Sequence, residues 1–233
     1  MIKFFRGAVL ALMLVPSVAK AQDFDVGMTA YNTGDFATAL REWTPLAEQG
    51  NAAAQASLGR MYHNAEGVPQ DYTEAVKWFR PAAEQGNADA QISLGLSYNN
   101  GEGVPQDDTV AAKWFRLAAE QGNAPAQYFL GFRYDTGKGV PQDDAEAVKW
   151  YRLAAAQGNE IAQSGLGGMY ALGRGVPQDF VTAHMWTNLS ASLGFAAAGE
   201  VRDLVSGLMT HTQIGEAQRR ARVCLASSYQ DCD

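Results

Sequence analysis

Three histidines, His63, His184 and His211, and two cysteines, Cys224 and Cys232, are the side chains of this 233-residue chain best suited to metal ligation or nucleophilic work. A hydrolytic zinc site sets paired histidines on one helical face, as in His-Glu-x-x-His, and none of the three has such a partner. Beyond residue 21 there is no Ser-x-x-Lys, no Gly-x-Ser-x-Gly and no glycine-rich phosphate loop. The expectation is no catalytic residue, no bound metal and no cofactor; motifs would not reveal a site assembled from sequence-distant groups. The cysteines stand eight residues apart in the tail, unlike the Cys-x-x-Cys of thiol oxidoreductases. In an oxidising compartment a structural Cys224–Cys232 bridge is the expectation, against two free thiols or a redox pair.

The compartment is read from the first 21 residues. Lys3 and Arg6 precede an apolar run from Ala8 to Val15, then Pro16 and the small-residue site Ala19-Lys20-Ala21. This is the pattern of a secretory signal peptide, residues 1–21, cleaved after Ala21. The run is far short of the roughly 20 residues that span a bilayer, and no later apolar stretch reaches that length. Cleavage removes three of eighteen basic residues, so the mature chain carries 15 − 25 = −10. Such a charge gives no electrostatic footprint for nucleic acid. A periplasmic or secreted protein without an integral membrane segment is expected.

The elements that position any site follow from a repeat. Val68-Pro69-Gln70-Asp71 returns at Val104, Val140 and Val176, 36 residues apart each time, and Gln49-Gly50-Asn51 returns in step at Gln85, Gln121 and Gln157. A fixed period of this size marks a solenoid or array. Each unit divides into two helical halves. The first carries Ala54, Gln55, Leu58, Gly59 and Tyr62 and their equivalents, spaced to share one helical face. A glycine inside a helix costs about 1 kcal/mol relative to alanine. Its return at Gly59, Gly95, Gly131 and Gly167 predicts a neighbouring helix close enough to exclude a Cβ. The second half carries Ala75, Trp78 and Ala82 and their equivalents, which predicts buried tryptophans interlocked with small residues.

Turn chemistry agrees. Gly67 can end a helix in the left-handed conformation, Pro69 blocks its continuation, and Asp71 caps the next helix. Glu74 and Glu146, three residues after Asp71 and Asp143, are placed to complete capping boxes. Gly86 and Asn87 make an equally short connection, so successive helices are antiparallel neighbours. The acidic pairs Asp107-Asp108 and Asp143-Asp144 are thereby helix starts. The predicted architecture is all-α: a right-handed α-solenoid of antiparallel helix pairs. A short capping unit over residues 22–50 matches its Ala39 and Trp43 to the second half, with Pro45 and Pro81 at equivalent places in second-half helices. Four full units cover 51–194. After Gly194 the period fails, and residues 195–233 form a helical cap.

Taken together, the Ala-x3-Leu-Gly-x2-Tyr half, the Gly-x-Gly-Val-x-x-Asp loop, the Ala-x2-Trp half and the Gln-Gly ending resemble Sel1-like repeats, relatives of the tetratricopeptide repeat. The resemblance covers Asn51 to Gly194. It implies a binding or adaptor scaffold, of a kind found in exported bacterial proteins of signalling, envelope regulation or host contact. Cysteine-rich relatives, associated with β-lactam binding or hydrolysis, carry a disulfide in each repeat. The repeats here contain no cysteine, which leaves a β-lactam-acting enzyme as the lesser alternative.

A binding face is sought where the units differ. Opposite the repeated face of each first-half helix, the first unit has Arg60 and Asn64, the second Ile92, Leu96 and Asn100, and the third Tyr128, Phe129 and Phe132. The resemblance places these first helices on the concave surface. Aromatic and aliphatic side chains there predict a protein or peptide partner, with Arg60, Asn64 and Asn100 as polar contacts at the margin.

Overall fold

The computed structural model describes residues 23–232; the expected signal peptide, residues 1–21, and its cleavage site lie outside the described residues. Twelve helices and no strand form among these: α1 (Phe24–Asn32), α2 (Phe36–Glu48), α3 (Ala52–Asn64), α4 (Tyr72–Glu84), α5 (Ala88–Asn100), α6 (Asp108–Glu120), α7 (Ala124–Thr136), α8 (Asp144–Ala155), α9 (Glu160–Leu172), α10 (Phe180–Ser192), α11 (Ala196–Ser206) and α12 (His211–Ala226). From α1 to α11 successive helices pack on one another, which is a solenoid of helix pairs.

Side chains fix the helix starts. Asn51, Asn87, Asn123 and Asn159 accept at Oδ1 from the N–H three residues on, at 2.8–3.1 Å, and open the first-half helices. Asp71, Asp107, Asp143 and Asp179 open the second-half helices in the same way, at 2.9–3.2 Å. The capping boxes expected at Glu74 and Glu146 do not form. Glu74 pairs with Lys77 at 2.9 Å, and Glu146 with Lys149 at 3.0 Å and the Trp150 indole N–H at 3.1 Å. A lysine three residues on competes for the carboxylate that would reach back to the cap. A reciprocal box forms instead at Thr210 and Gln213, where α12 begins.

Helix ends use the left-handed conformation. Gly101, Gly137 and Gly173 close α5, α7 and α9, while Ala65, 36 residues before Gly101, closes α3 at φ 60°. In the loops that follow, Gly103 lies against the Tyr72 carbonyl at the start of the preceding unit's second helix, and a Cβ there would collide with it. Each loop is thus seated on the unit before it.

Packing within a pair confirms the close approach at the repeated glycines and corrects the residue opposite. A Cβ on Gly95 would lie 2.7 Å from the Phe115 ring, and one on Gly131 2.8 Å from Tyr151. Phe79 faces Gly59 in the same manner. In the first three units the interlocking ring is therefore the residue after the repeated tryptophan, and in the fourth Thr187, after Trp186, takes its place against Gly167. Phe79, Phe115 and Tyr151 are buried, whereas Trp78 and Trp114 are only half-buried and Trp150 and Trp186 are buried in adjoining clusters. Trp43 is the equivalent of Phe79, since it stands 36 residues before it, and its indole fills the space beside Gly27.

Between units runs a ladder of glutamines. Gln55, Gln91, Gln127 and Gln163 each donate to a carbonyl of the preceding second-half helix at 3.0–3.3 Å. Their own carbonyls accept from Gln85, Gln121 and Gln157 at 2.8–2.9 Å in the first three units. The fourth unit has Leu193 at that position, and the fully buried Gln163 Oε1 has no partner. A second series joins Arg80 to the Tyr98 hydroxyl at 2.9 Å, Arg116 to Tyr134, and Arg152 to Tyr170 at 2.7 Å.

The repeat unit ends at Gly194, but the register of its first helix runs on into α11. Ala198 and Val205 of α11 stand 36 residues after Ala162 and Met169 and are buried as they are. What changes is Asp203, which replaces the close-contact glycine of position 167 and pairs with Arg202 at 2.7 Å. A charged carboxylate at that contact disfavours burial under a second helix. Accordingly α12 packs on α10 instead of α11. Its tail is closed by a Cys224–Cys232 bridge, and Tyr229, within that ring, lies against Gly158 between α8 and α9.

Candidate interaction face

Exposed side chains of the first-half helices form a continuous face. Arg60 and Asn64 on α3 and Asn100 on α5 are exposed. Ile92, Leu96, Tyr128, Phe129 and Phe132 are half-buried, wedged against neighbouring units while keeping one surface open. Phe129 stacks on the buried Phe115 ring at 4.9 Å, and Tyr128 stacks on Tyr151 at 6.1 Å and reaches Phe132 at 6.3 Å. These offset contacts order the rings before any partner arrives. Burial raises the Tyr128 phenol above its ordinary value, and burial with nearby Asp135 raises that of Tyr151 strongly, so both are neutral hydroxyls.

The apolar face extends further than the sequence pattern indicates. Leu172 at the end of α9 is 69% exposed, and Leu204 in the last turn of α11 and Leu208 in the turn after it are 74% and 67% exposed. Leu208 stands 36 residues after Leu172, and Leu204 36 after Gly168, so all three continue the face begun by Arg60 and Leu96. Leu172 stands among the variable positions of the fourth unit, whereas periodicity alone reads Leu204 and Leu208 as the core stripe of a terminal helix; the signal that finds those two is their register with the variable positions. Between these leucines and the α7 rings, α9 offers Ser164, Gly165 and Gly168, a strip with little side chain.

At the other end the face is polar. The Arg60 guanidinium lies 4.6 Å from the centroid of the Tyr31 ring, and the Tyr31 hydroxyl donates to Glu66 at 2.7 Å. His63 sits at the rim with Nδ1 3.0 Å from Asn64 Oδ1 and Nε2 3.3 Å from a Glu102 carboxylate oxygen. His184 is buried on α10 and His211 is exposed at the start of α12, so the histidines do not converge. Among the described residues no serine or cysteine side chain hydrogen-bonds to a histidine ring, and no group of three or more His, Cys, Asp or Glu side chains is placed to hold a metal. What this arrangement can do is bury apolar surface and offer a few fixed polar groups.

The fold and this face define a class: an α-solenoid with one differentiated surface. The sequence profile of the Sel1 repeat matches residues 52–87, 88–123, 124–159 and 161–195, more than half of the chain. This chain belongs to the Sel1 repeat family. Among solved structures it is similar to c5321, a protective antigen of uropathogenic Escherichia coli with an SLR fold, at 35% identity and a TM-score of 0.75, over 90% of this chain and 46% of that one. The chain thus spans about half the length of that neighbour. It is also similar to a Sel1 repeat protein from Oxalobacter formigenes, at 32% identity and a TM-score of 0.70, over 91% of this chain and 79% of that one. No curated protein matches it in sequence. No described helix is long and apolar enough to cross a membrane.

Proposed function

We propose that this protein is an exported, non-catalytic scaffold whose first-helix face forms a concave groove for a protein or peptide partner in envelope signalling, regulation or host contact. One observation carries the reading. Leu172, Leu204 and Leu208, three of the most exposed large apolar side chains among the described residues, continue the face of the half-open rings of Tyr128, Phe129 and Phe132 across the small-residue strip of α9. Scattered exposed leucines are ordinary, but several on one face with fixed aromatic rings mark an interaction site. The bridged cysteines favour an oxidising compartment. The antigenic E. coli neighbour supports exposure to a host.

The test is capture from a bacterial envelope extract by the purified protein and by the triple variant Leu172→Ser, Leu204→Ser, Leu208→Ser. Because these side chains are largely exposed, the variant should melt with the native protein while losing the captured partner. Identical capture by the two would sink the groove assignment.

A further inference from the structure

Arg60 is the cation at the polar end of the face. It is exposed, oriented by the Tyr31 ring, and takes part in none of the ion pairs among the described residues. Two small concavities meet at its side chain. One, of about 150 Å³, lies between α1, α3 and α5 over Phe24, Met28 and Phe79, with Asp89 also on its lining. The other, of about 200 Å³, continues past His63 and Asn64 to Leu96 and shares Phe79 and Ser93 with the first. Ser93 donates its hydroxyl to the Asp89 carbonyl, and the Asp89 carboxylate has no cation among those ion pairs. Both volumes fall below the roughly 300 Å³ at which small-molecule sites begin, and suit single side chains.

Resting on the groove reading above, we infer that this end of the face receives the carboxy-terminal residue of the partner peptide. Its carboxylate pairs with Arg60, its backbone N–H turns toward Asp89, and its apolar side chain enters the cavity over Phe79. Arginine matches a carboxylate with two parallel N–H donors, and stacking on Tyr31 fixes the plane of that fork. Asp89 decides between the two sources of a peptide carboxylate. An internal glutamate side chain would bring its charge toward Asp89 with no donor beside it, whereas a terminal residue carries an N–H one carbon from its carboxylate. The direction of the chain follows: from its terminus at α3 the peptide crosses α5 and lays its earlier apolar residues on Tyr128 and Phe132. Helix steps of about 10 Å and an extended rise of about 3.3 Å per residue put those rings roughly six residues from the terminus.

Three amino-terminally labelled decapeptide pools, randomised among Ala, Leu, Phe and Ser, test this by fluorescence polarisation. The first ends in a free carboxylate, the second in an amide, and the third in a glutamate side chain with an amide behind it. The native protein should bind the free-acid pool about tenfold tighter than either other pool, as expected for a charge-assisted contact. Arg60→Gln should abolish that preference while keeping the native melting temperature. Equal binding of acid and amide pools overturns the carboxylate assignment while the groove stands. Equality of the glutamate and free-acid pools overturns the terminal assignment. If Leu204→Ser with Leu208→Ser leaves every affinity unchanged, the groove reading itself fails, and if the native protein binds no pool the inference falls with it.

Discussion

Replacing Leu193 by Gln should stabilise the protein, because it supplies the missing rung of the glutamine ladder. In the first three units the rung donates to a buried glutamine carbonyl at 2.8–2.9 Å; in the fourth, Gln163 Oε1 is buried without a partner. The backbone is already suited to the change, since Leu193 has φ −85° and ψ 0°, against −79° and 0° at Gln85 and −80° and 1° at Gln121. Satisfying a buried acceptor recovers roughly 1 to 3 kcal/mol. Against this stand ordering of the new side chain, up to about 1.5 kcal/mol and less at an exposed site, and the lost burial of a leucine that is already 45% exposed, under about 1 kcal/mol. The net expectation is a gain of about 1 kcal/mol, or about 2 to 4 °C in Tm for a domain of this size. Calorimetry at neutral pH reads it. Gln157→Leu, which orphans Gln127 in the same way, should lower Tm, and Gln163→Leu should erase the benefit of Leu193→Gln. A Leu193→Gln protein that melts at or below the native temperature would refute the ladder as a source of stability.

Other consequences are as direct. Gly131→Leu puts a side chain where even a Cβ would lie 2.8 Å from the Tyr151 ring; overpacking of about 1 to 3 kcal/mol should outweigh the helix propensity gained, about 1 kcal/mol, and an unchanged denaturation curve would remove the close-contact role of that glycine. His184 is buried with Nδ1 unpartnered, and burial, then the nearby Arg202, holds its pKa below the ordinary 6.5. The unfolded chain therefore takes up this proton at a higher pH than the folded one, and the stability contributed by the neutral ring is complete above pH 6.5 and declines as pH falls through it. His184→Gln should flatten the Tm profile between pH 7.5 and 5.5 relative to the native chain; parallel profiles would contradict this. Thiol titration of the denatured, unreduced protein should find no free thiol, since both cysteines are in the bridge, and recovery of two would exclude it.

Much of the architecture was legible because the unit repeats: asparagine and aspartate caps, glycine stops and the tight glycine contacts recur at one spacing, so each copy corroborates the others. The errors lie where one copy had to be compared with another at single-residue resolution. Trp78 and Phe79 are adjacent large rings, and only packing shows that the second faces the glycine. Gly194 ends the loop pattern and not the helical register, which Ala198 and Val205 carry on without the signature loop. Of the interaction face, the variable positions of α3, α5 and α7 were visible as departures from the repeat. Leu204 and Leu208 were not, because their spacing is that of a core stripe and their exposure depends on where α12 packs.

That placement of α12 has a kinetic consequence. In a chain of nearest-neighbour contacts, opening begins at whichever end has least to release. At the amino end, freeing the first full repeat requires only the detachment of the α1–α2 hairpin. At the other end, α12 and its closed ring are packed into the cluster that joins α8, α9 and α10, so no terminal pair peels away alone. Fraying is thereby directed: amide exchange should spread from the amino terminus inward, and the part of the molecule that bears Tyr128 and Phe132, packed against that cluster, is the last to lose its shape.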